Sequence, residues 1–396
     1  GIMGQFIGDV FSVDGHHAVK RFCDLVDAEK LQIPGFQEVY VGYLYTGTEE
    51  VVTIPAQITV VNRYMFYNNS TVQAVIIPAT VTAVEPRAFY YCSKLKYVLF
   101  SGYQEVGSYS IYMCPELVNI CAPAGSPAFA YAQAQHFRVT SNAAPHFEKK
   151  TVRLLPGDKF ENPLLNGINV TYVSSKKAVA VVTSKGKVKA KKAGKTRITA
   201  VTAQGKFSFS VIVYQKTEPN RIKQVKKLIK SDKEDTTKIA KIKAAHDWLI
   251  RNVKYDYKNY LKGRLPMIAH TSRGALLKKL AVCDGYAYAF KKIMDSYKIP
   301  CRFVTGWAGG GHAWNMVQIG GKWYHVDVTW DDPIINGENT NTRPHYTYFL
   351  KSTAYMRKNQ HSFKVSNYPK CTSTKYDAKG LSYMYNDNGE LFYSWE

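Results

Sequence analysis

Cys283, His312 and Asp327 are residue types that together do nucleophilic chemistry. A thiol becomes a strong nucleophile as a thiolate, a nearby imidazole takes its proton, and a carboxylate orients that imidazole and stabilises its charged form. A helix N-terminus favours the thiolate, because unpaired backbone N–H groups and the helix dipole stabilise negative charge there. Cys283 opens such a segment. Tyr286, Phe290, Ile293, Met294 and Tyr297 recur at helical steps and Pro300 ends the pattern, which predicts a helix over 284–297 with Cys283 at or next to its N-cap.

The other two residues need a hairpin. Residues 312–318 and 322–329 are rich in Trp, Val, Tyr and Ile, and Gly320-Gly321 lies between them. A Gly320-Gly321 turn pairs His312 with Thr329 and sets Asp327 diagonally across. An Ile319-Gly320 turn pairs His312 directly with Asp327. Both registers put the two side chains on one face, and a one-residue slip separates them. His325, two residues before Asp327 on the same face, competes for the role of base. Trp307, Trp314 and Trp330 surround the three residues and are candidates to line a substrate site, with core packing as the alternative. A metal site from Cys283, His312, His325 and Asp327 would lack CxxC or HExxH spacing, so no metal and no cofactor are expected.

Three blocks, VCDGYA, GHAWNMV and WYHVDVTWDDP, resemble the transglutaminase-like superfamily of papain-like cysteine enzymes. The resemblance implies an α+β domain in which Cys283 is the nucleophile, His312 the base and Asp327 its orienter. It implies acyl transfer on amide or peptide substrates, such as cell-wall peptides or host proteins. Water resolves the thioester in a peptidase or deamidase, and an amine resolves it in a transglutaminase. Asp284 departs from the Glu or Gln usual after the cysteine. Asp331-Asp332 and the Asn-rich loop after them fit no EF-hand, so calcium is not expected.

The elements around these blocks complete a third domain, residues 216–396. Residues 219–231 and 235–253 read as helices and 301–306 as a strand. His246 lies on the second helix with no carboxylate partner evident, and is expected to be a packing or surface residue. Cys301 and Cys371 lack a helix-start context and are expected to be packed. The tail from 346, with YTYFL, is expected to wall the cleft.

Residues 1–145 carry a repeat. Ile54-Pro55 recurs as Ile77-Pro78, 23 residues later, and Phe66, Val72 and Val75 recur as Phe89, Leu95 and Val98. A third copy, one residue shorter, places Cys114 where Cys92 stood. Such a period means stacked solenoid units. The pattern IPxxVTxVxxxAFxxCxxLKxV resembles BspA-type leucine-rich repeats. Ile33-Pro34 is read as the start of a degenerate earlier repeat, and residues 1–30 as a cap with helical stretches. Residues 146–215 alternate in short runs separated by turns, which predicts a small β-sandwich. VSSKKAVAVVTSKGKVKAKKAGKTRITAV resembles a bacterial immunoglobulin-like domain of group 2. Both resemblances imply a secreted or surface-attached bacterial protein in which these modules act as spacers or adhesive units. A non-catalytic adhesin or scaffold is the competing class of function.

The composition agrees. A chain of 396 residues is expected to hold two or three domains, and 45% hydrophobic residues suffice for real cores. A net charge of +23 favours an anionic partner such as a surface polymer. The lysines are not interleaved with aromatics and carry no nucleic-acid motif, so no specific nucleic acid is expected. No apolar run reaches membrane-spanning length. Seven cysteines without paired spacing do not make a disulfide framework. The chain opens Gly1-Ile2-Met3, which reads as a processed or trimmed start, so the missing signal peptide is uninformative.

Overall fold

The computed structural model describes residues 33–39, 42–227, 238–332, 334–335, 338–339, 344–377, 383–385 and 391–393. The cap expected over residues 1–30 lies outside them. Three architectures follow one another: a repeat region, an immunoglobulin-like sandwich and an α+β domain.

In the repeat region, Val51–Thr53, Ala74–Ile77, Tyr97–Phe100, Asn119–Cys121 and Val139–Thr140 stack as one parallel sheet. Ala74 pairs with Tyr97, so the sequence period is the strand-to-strand step. Phe66 stacks on Phe89 with ring centroids 4.9 Å apart, and Cys92 is buried beneath the same ladder. Each unit thus buries its apolar face on the next. Ile33-Pro34 leads instead into an antiparallel hairpin of Phe36–Val39 and Gly42–Tyr45, so this segment is not a parallel repeat strand.

The sandwich has a four-stranded and a three-stranded sheet. Val152, Leu154, Val188, Ile198, Phe209, Val211 and Val213 fill the space between them. Every second residue of each strand points inward, as the alternation requires.

The α+β domain packs helices against a four-stranded antiparallel sheet. Helix α1 is Glu218–Lys226, α2 is Lys238–Asn252 and α3 is Cys283–Ser296. Strands β1 (Cys301–Trp307), β2 (Gly311–Ile319), β3 (Lys322–Val326) and β4 (Phe349–Lys351) follow in that spatial order. Helix α3 lays Tyr286, Phe290, Ile293 and Met294 on the sheet and on α2. Its burial is why a 14-residue segment holds helical geometry in this sequence. The β2–β3 turn is Gly320-Gly321, both at positive φ, which is the geometry a two-residue hairpin needs.

The sandwich is not a detached spacer. Leu155 belongs to the core cluster of the α+β domain. Asp158, in the turn beside it, is paired with Arg221 of α1, and both are buried. No helix of the described residues is long and apolar enough to cross a membrane.

Candidate active site

Cys283 is the first residue of α3, half-buried, behind an extended Val282 that offers no side-chain cap. Within the first turn the Gly285 N–H donates to Asp284 Oδ1 at 2.9 Å. Gly285 explains part of the VCDGYA block. A Cβ there would lie 2.3 Å from the Ala269 carbonyl oxygen, so the helix start packs against 267–270 only without a side chain. Tyr286 is buried and donates to Asp332 Oδ2 at 2.6 Å, tying α3 to the end of the hairpin. Asp284 Oδ2 is hydrogen-bonded to His270 Nδ1 at 2.8 Å.

His312 stands near the start of β2, opposite Gly306 of β1. The hairpin register is that of the Gly320-Gly321 turn, with Asn315 opposite Val326. Asp327 leaves the strand directly after Val326 and turns its carboxylate to the histidine. His312 Nε2 meets Asp327 Oδ2 at 2.7 Å, and the Cys283 sulfur lies near enough to the ring to favour its charged form. Burial opposes charge on His312, but the Asp327 carboxylate and the Cys283 sulfur outweigh it and push its pKa up to about 10. Burial would raise Asp327, yet the two histidines on it hold its carboxyl well below the usual range.

The structure thus joins His312 and Asp327 by a hydrogen bond and sets Cys283 close to the His312 ring. It also adds a fourth that no motif marked. His361 Nε2 lies 2.8 Å from the same Asp327 Oδ2 that His312 uses. Asp327 Oδ1 accepts the Trp330 N–H at 3.1 Å. Ligand atoms of His312, Asp327 and His361 fall within 4.8 Å of one another, and these hydrogen bonds account for that closeness.

His325 is engaged elsewhere. Its Nδ1 accepts from Trp314 Nε1 at 2.9 Å, and Nε2 meets Thr353 Oγ1 at 3.0 Å. Burial first, and then the nearby His361, pushes its pKa down to about 3, so it is neutral and braces Trp314. Trp314 itself is buried and lies face-on to His312 at 5.7 Å, which corrects the expectation that it lines an open site. Trp330 packs edge-on to His361 and Tyr348, while Trp307 is 60% exposed. The tail contributes His361 and Tyr348, whose ring lies 5.0 Å from the His361 ring, so it does flank the three residues.

A second buried network corrects the reading of His246. Its Nδ1 and Nε2 each lie 3.0 Å from a carboxylate, Asp247 Oδ1 and Asp331 Oδ2. Asp247 also accepts from Tyr346 at 2.7 Å, and Asp331 from the Tyr348 N–H at 2.9 Å. Asp331 and Asp332 are therefore structural acceptors, with buried partners on α2 and α3. Cys301 and Cys371 are packed as expected, and burial pushes their thiols up to about 12 and about 11.

A sulfur at a helix start, an imidazole on a strand and a carboxylate at the next strand's end thus come together on an α+β fold. Residues 223–328 match the model of the transglutaminase-like superfamily, residues 42–146 match six copies of the BspA type leucine rich repeat region, and residues 162–213 match the bacterial Ig-like domain of group 2. The chain therefore joins a transglutaminase-like domain to BspA-type repeats and a bacterial Ig-like domain. It is 25% identical over 113 residues to kyphoscoliosis peptidase of Homo sapiens, which is 25% of this chain and 17% of that protein. The Mus musculus protein of the same name is 24% identical over 111 residues, covering 25% of this chain and 16% of its own length. The chain thus spans under a fifth of these curated relatives. Among solved structures, a TGase shares 17% identity over 28% of this chain and 30% of its own, with a TM-score of 0.25. A Cytophaga hutchinsonii protein put forward as a cysteine protease shares 23% over 29% and 38%, with a TM-score of 0.23.

Proposed function

We propose that this protein is a cysteine-dependent acyl-transfer enzyme acting on amide or peptide bonds through Cys283, His312 and Asp327, displayed at a bacterial surface. The observation that carries this reading is the 2.7 Å bond from His312 to Asp327, with Cys283 at the start of α3 near enough to the ring to favour its charge. The Cys283 thiolate attacks the amide carbonyl. The Cys283 backbone N–H, at the open start of α3, stabilises the oxyanion. His312 then protonates the leaving amine, and a thioester remains. Water resolves it to an acid, or an amine resolves it to a new amide. Trp330 and the exposed Trp307 are the aromatic walls of the acyl site in this reading. BspA-type repeats and bacterial Ig-like domains are typical of surface proteins, which supports surface display.

A binding role for the repeats has one specific observation behind it. Tyr67, Tyr90 and Tyr112 stack along the repeats at 5.8 and 5.7 Å, and Tyr91, Tyr109 and Tyr112 are exposed. An aromatic ribbon of this kind suits adhesion, and a non-catalytic scaffold is the alternative function.

Wild type and Cys283→Ala, assayed on casein with and without a fluorescent primary amine, separate these readings. Amine incorporation lost in the variant marks a transglutaminase. Ammonia release or cleavage lost in the variant marks a hydrolase. Identical behaviour of the two proteins across a broad substrate panel favours the scaffold.

A further inference from the structure

We propose that His361 is a positioning residue of this site, holding the Asp327 carboxylate alongside His312 and keeping a second positive charge beside it. The proposal rests on the reading of Cys283, His312 and Asp327 as an acyl-transfer site.

The hydrogen-bond pattern assigns the charge. His361 Nδ1 faces the Asn359 carbonyl oxygen at 2.9 Å, and Nε2 faces Asp327 Oδ2 at 2.8 Å. Neither oxygen has a proton to give when the carboxylate is ionised, so each contact is a hydrogen bond only where the ring nitrogen donates. The residue is 1% exposed, so water screens this charge little. The groups around it are few. Asp327 is the carboxylate it meets, the His312 ring is 5.8 Å away, His325 is neutral, and Trp314, Trp330 and Tyr348 present uncharged rings.

The backbone has been built to bring it there. Trp307 and Ser362 exchange two main-chain hydrogen bonds, at 2.8 and 2.9 Å, and the His361 N–H donates to Met356 at 2.9 Å. A Cβ on Gly306 would lie 2.3 Å from the Ser362 oxygen, so β1 accepts this segment only because residue 306 is glycine. Gly306 is also the residue opposite His312, which ties the placement of both histidines to one position.

The consequence is electrostatic. One carboxylate oxygen serves two imidazoliums, so part of its charge is neutralised before it reaches His312. Removing His361 leaves the neighbourhood of Cys283 and His312 more negative. Thiolate formation at Cys283 and deprotonation of His312 then both need a higher pH.

The test is the pH dependence of iodoacetamide alkylation at Cys283 in the full chain, for wild type, His361→Gln and His361→Leu. His361→Gln keeps a donor for Asp327 without the charge. The expected result is that both steps of the rate profile move upward by on the order of one pH unit in His361→Gln. His361→Leu moves at least as far; if it fails to fold, His361→Gln carries the test. Unchanged midpoints in folded His361→Gln, whatever the change in amplitude, overturn the proposal. A wild-type Cys283 no more reactive than a cysteine of the unfolded chain sinks the underlying reading of the site instead.

Discussion

Arg221 of the transglutaminase-like domain grips Asp158 of the Ig-like domain with two nitrogens, Nη1 to Oδ2 at 2.6 Å and Nη2 to Oδ1 at 2.9 Å. Its Nε donates to the Leu276 carbonyl at 2.9 Å, and its guanidinium lies 5.3 Å over Trp248. Lys279 adds a further ion pair to Asp158 at 2.9 Å. Residues 276–279 run directly into the short strand Leu280–Ala281, which Val282 joins to Cys283. The Ig-like domain therefore braces the approach to the candidate nucleophile.

Asp158→Ala should destabilise the whole chain. It leaves Arg221 buried without its carboxylate, and truncating one partner of a buried ion pair costs about 3–5 kcal/mol. Chemical denaturation should show the transglutaminase-like domain losing stability although the substitution lies outside it. A change confined to the Ig-like domain would argue against the brace.

Gly285→Ala should cost activity more than stability. The added Cβ meets a backbone oxygen, so the start of α3 and the Cys283 sulfur must move. Misplacement of a reacting group by about 1 Å costs about 100-fold in rate. A kcat/KM fall of that order is expected, with near-native circular dichroism. Wild-type turnover in this variant would show that Cys283 tolerates a shifted helix start.

His325 gives the stability of the fold an acid dependence. Its folded pKa, about 3, lies below the unfolded value, so its contribution is full above about pH 6.5 and is lost as pH falls towards 3. The loss over that window is roughly a few kcal/mol. Asp158, Asp247 and Asp327 are likewise held low and add their own losses nearer pH 3. His325→Gln should flatten the fall in Tm between pH 6.5 and 4 relative to wild type. An unchanged slope would mean that His325 is not held neutral.

Much of this was legible along the chain. The repeat period became the strand step, the alternation became the sandwich, and the block at 283 became a helix start. His312 and Asp327 share a face because a two-residue glycine turn leaves little freedom of register. What stayed hidden is what tertiary contact alone creates. His361 lies 34 residues beyond Asp327 with no motif around it, and the Ser362–Trp307 pairing brings it home. His246 finds Asp331 across 85 residues, and Arg221 finds Asp158 across 63. Trp314 was misread because a tryptophan beside a site in sequence can stand behind it in space. The adjacent Asp247 was the one signal that could have marked His246.

Cysteine reactivity tests the central claim most directly. Native protein at neutral pH would be pulsed with iodoacetamide, quenched and resolved by peptide mass. Cys283 should label at least about tenfold faster than the other six cysteines, and His312→Ala should remove that advantage. Cys121, Cys301 and Cys371 are held back by burial. Cys114 is the internal competitor, since the neighbouring Cys92 thiol lowers its own. Labelling of Cys283 no faster than Cys114, or unaffected by His312→Ala, would contradict a thiolate–imidazolium pair and leave the chain a scaffold.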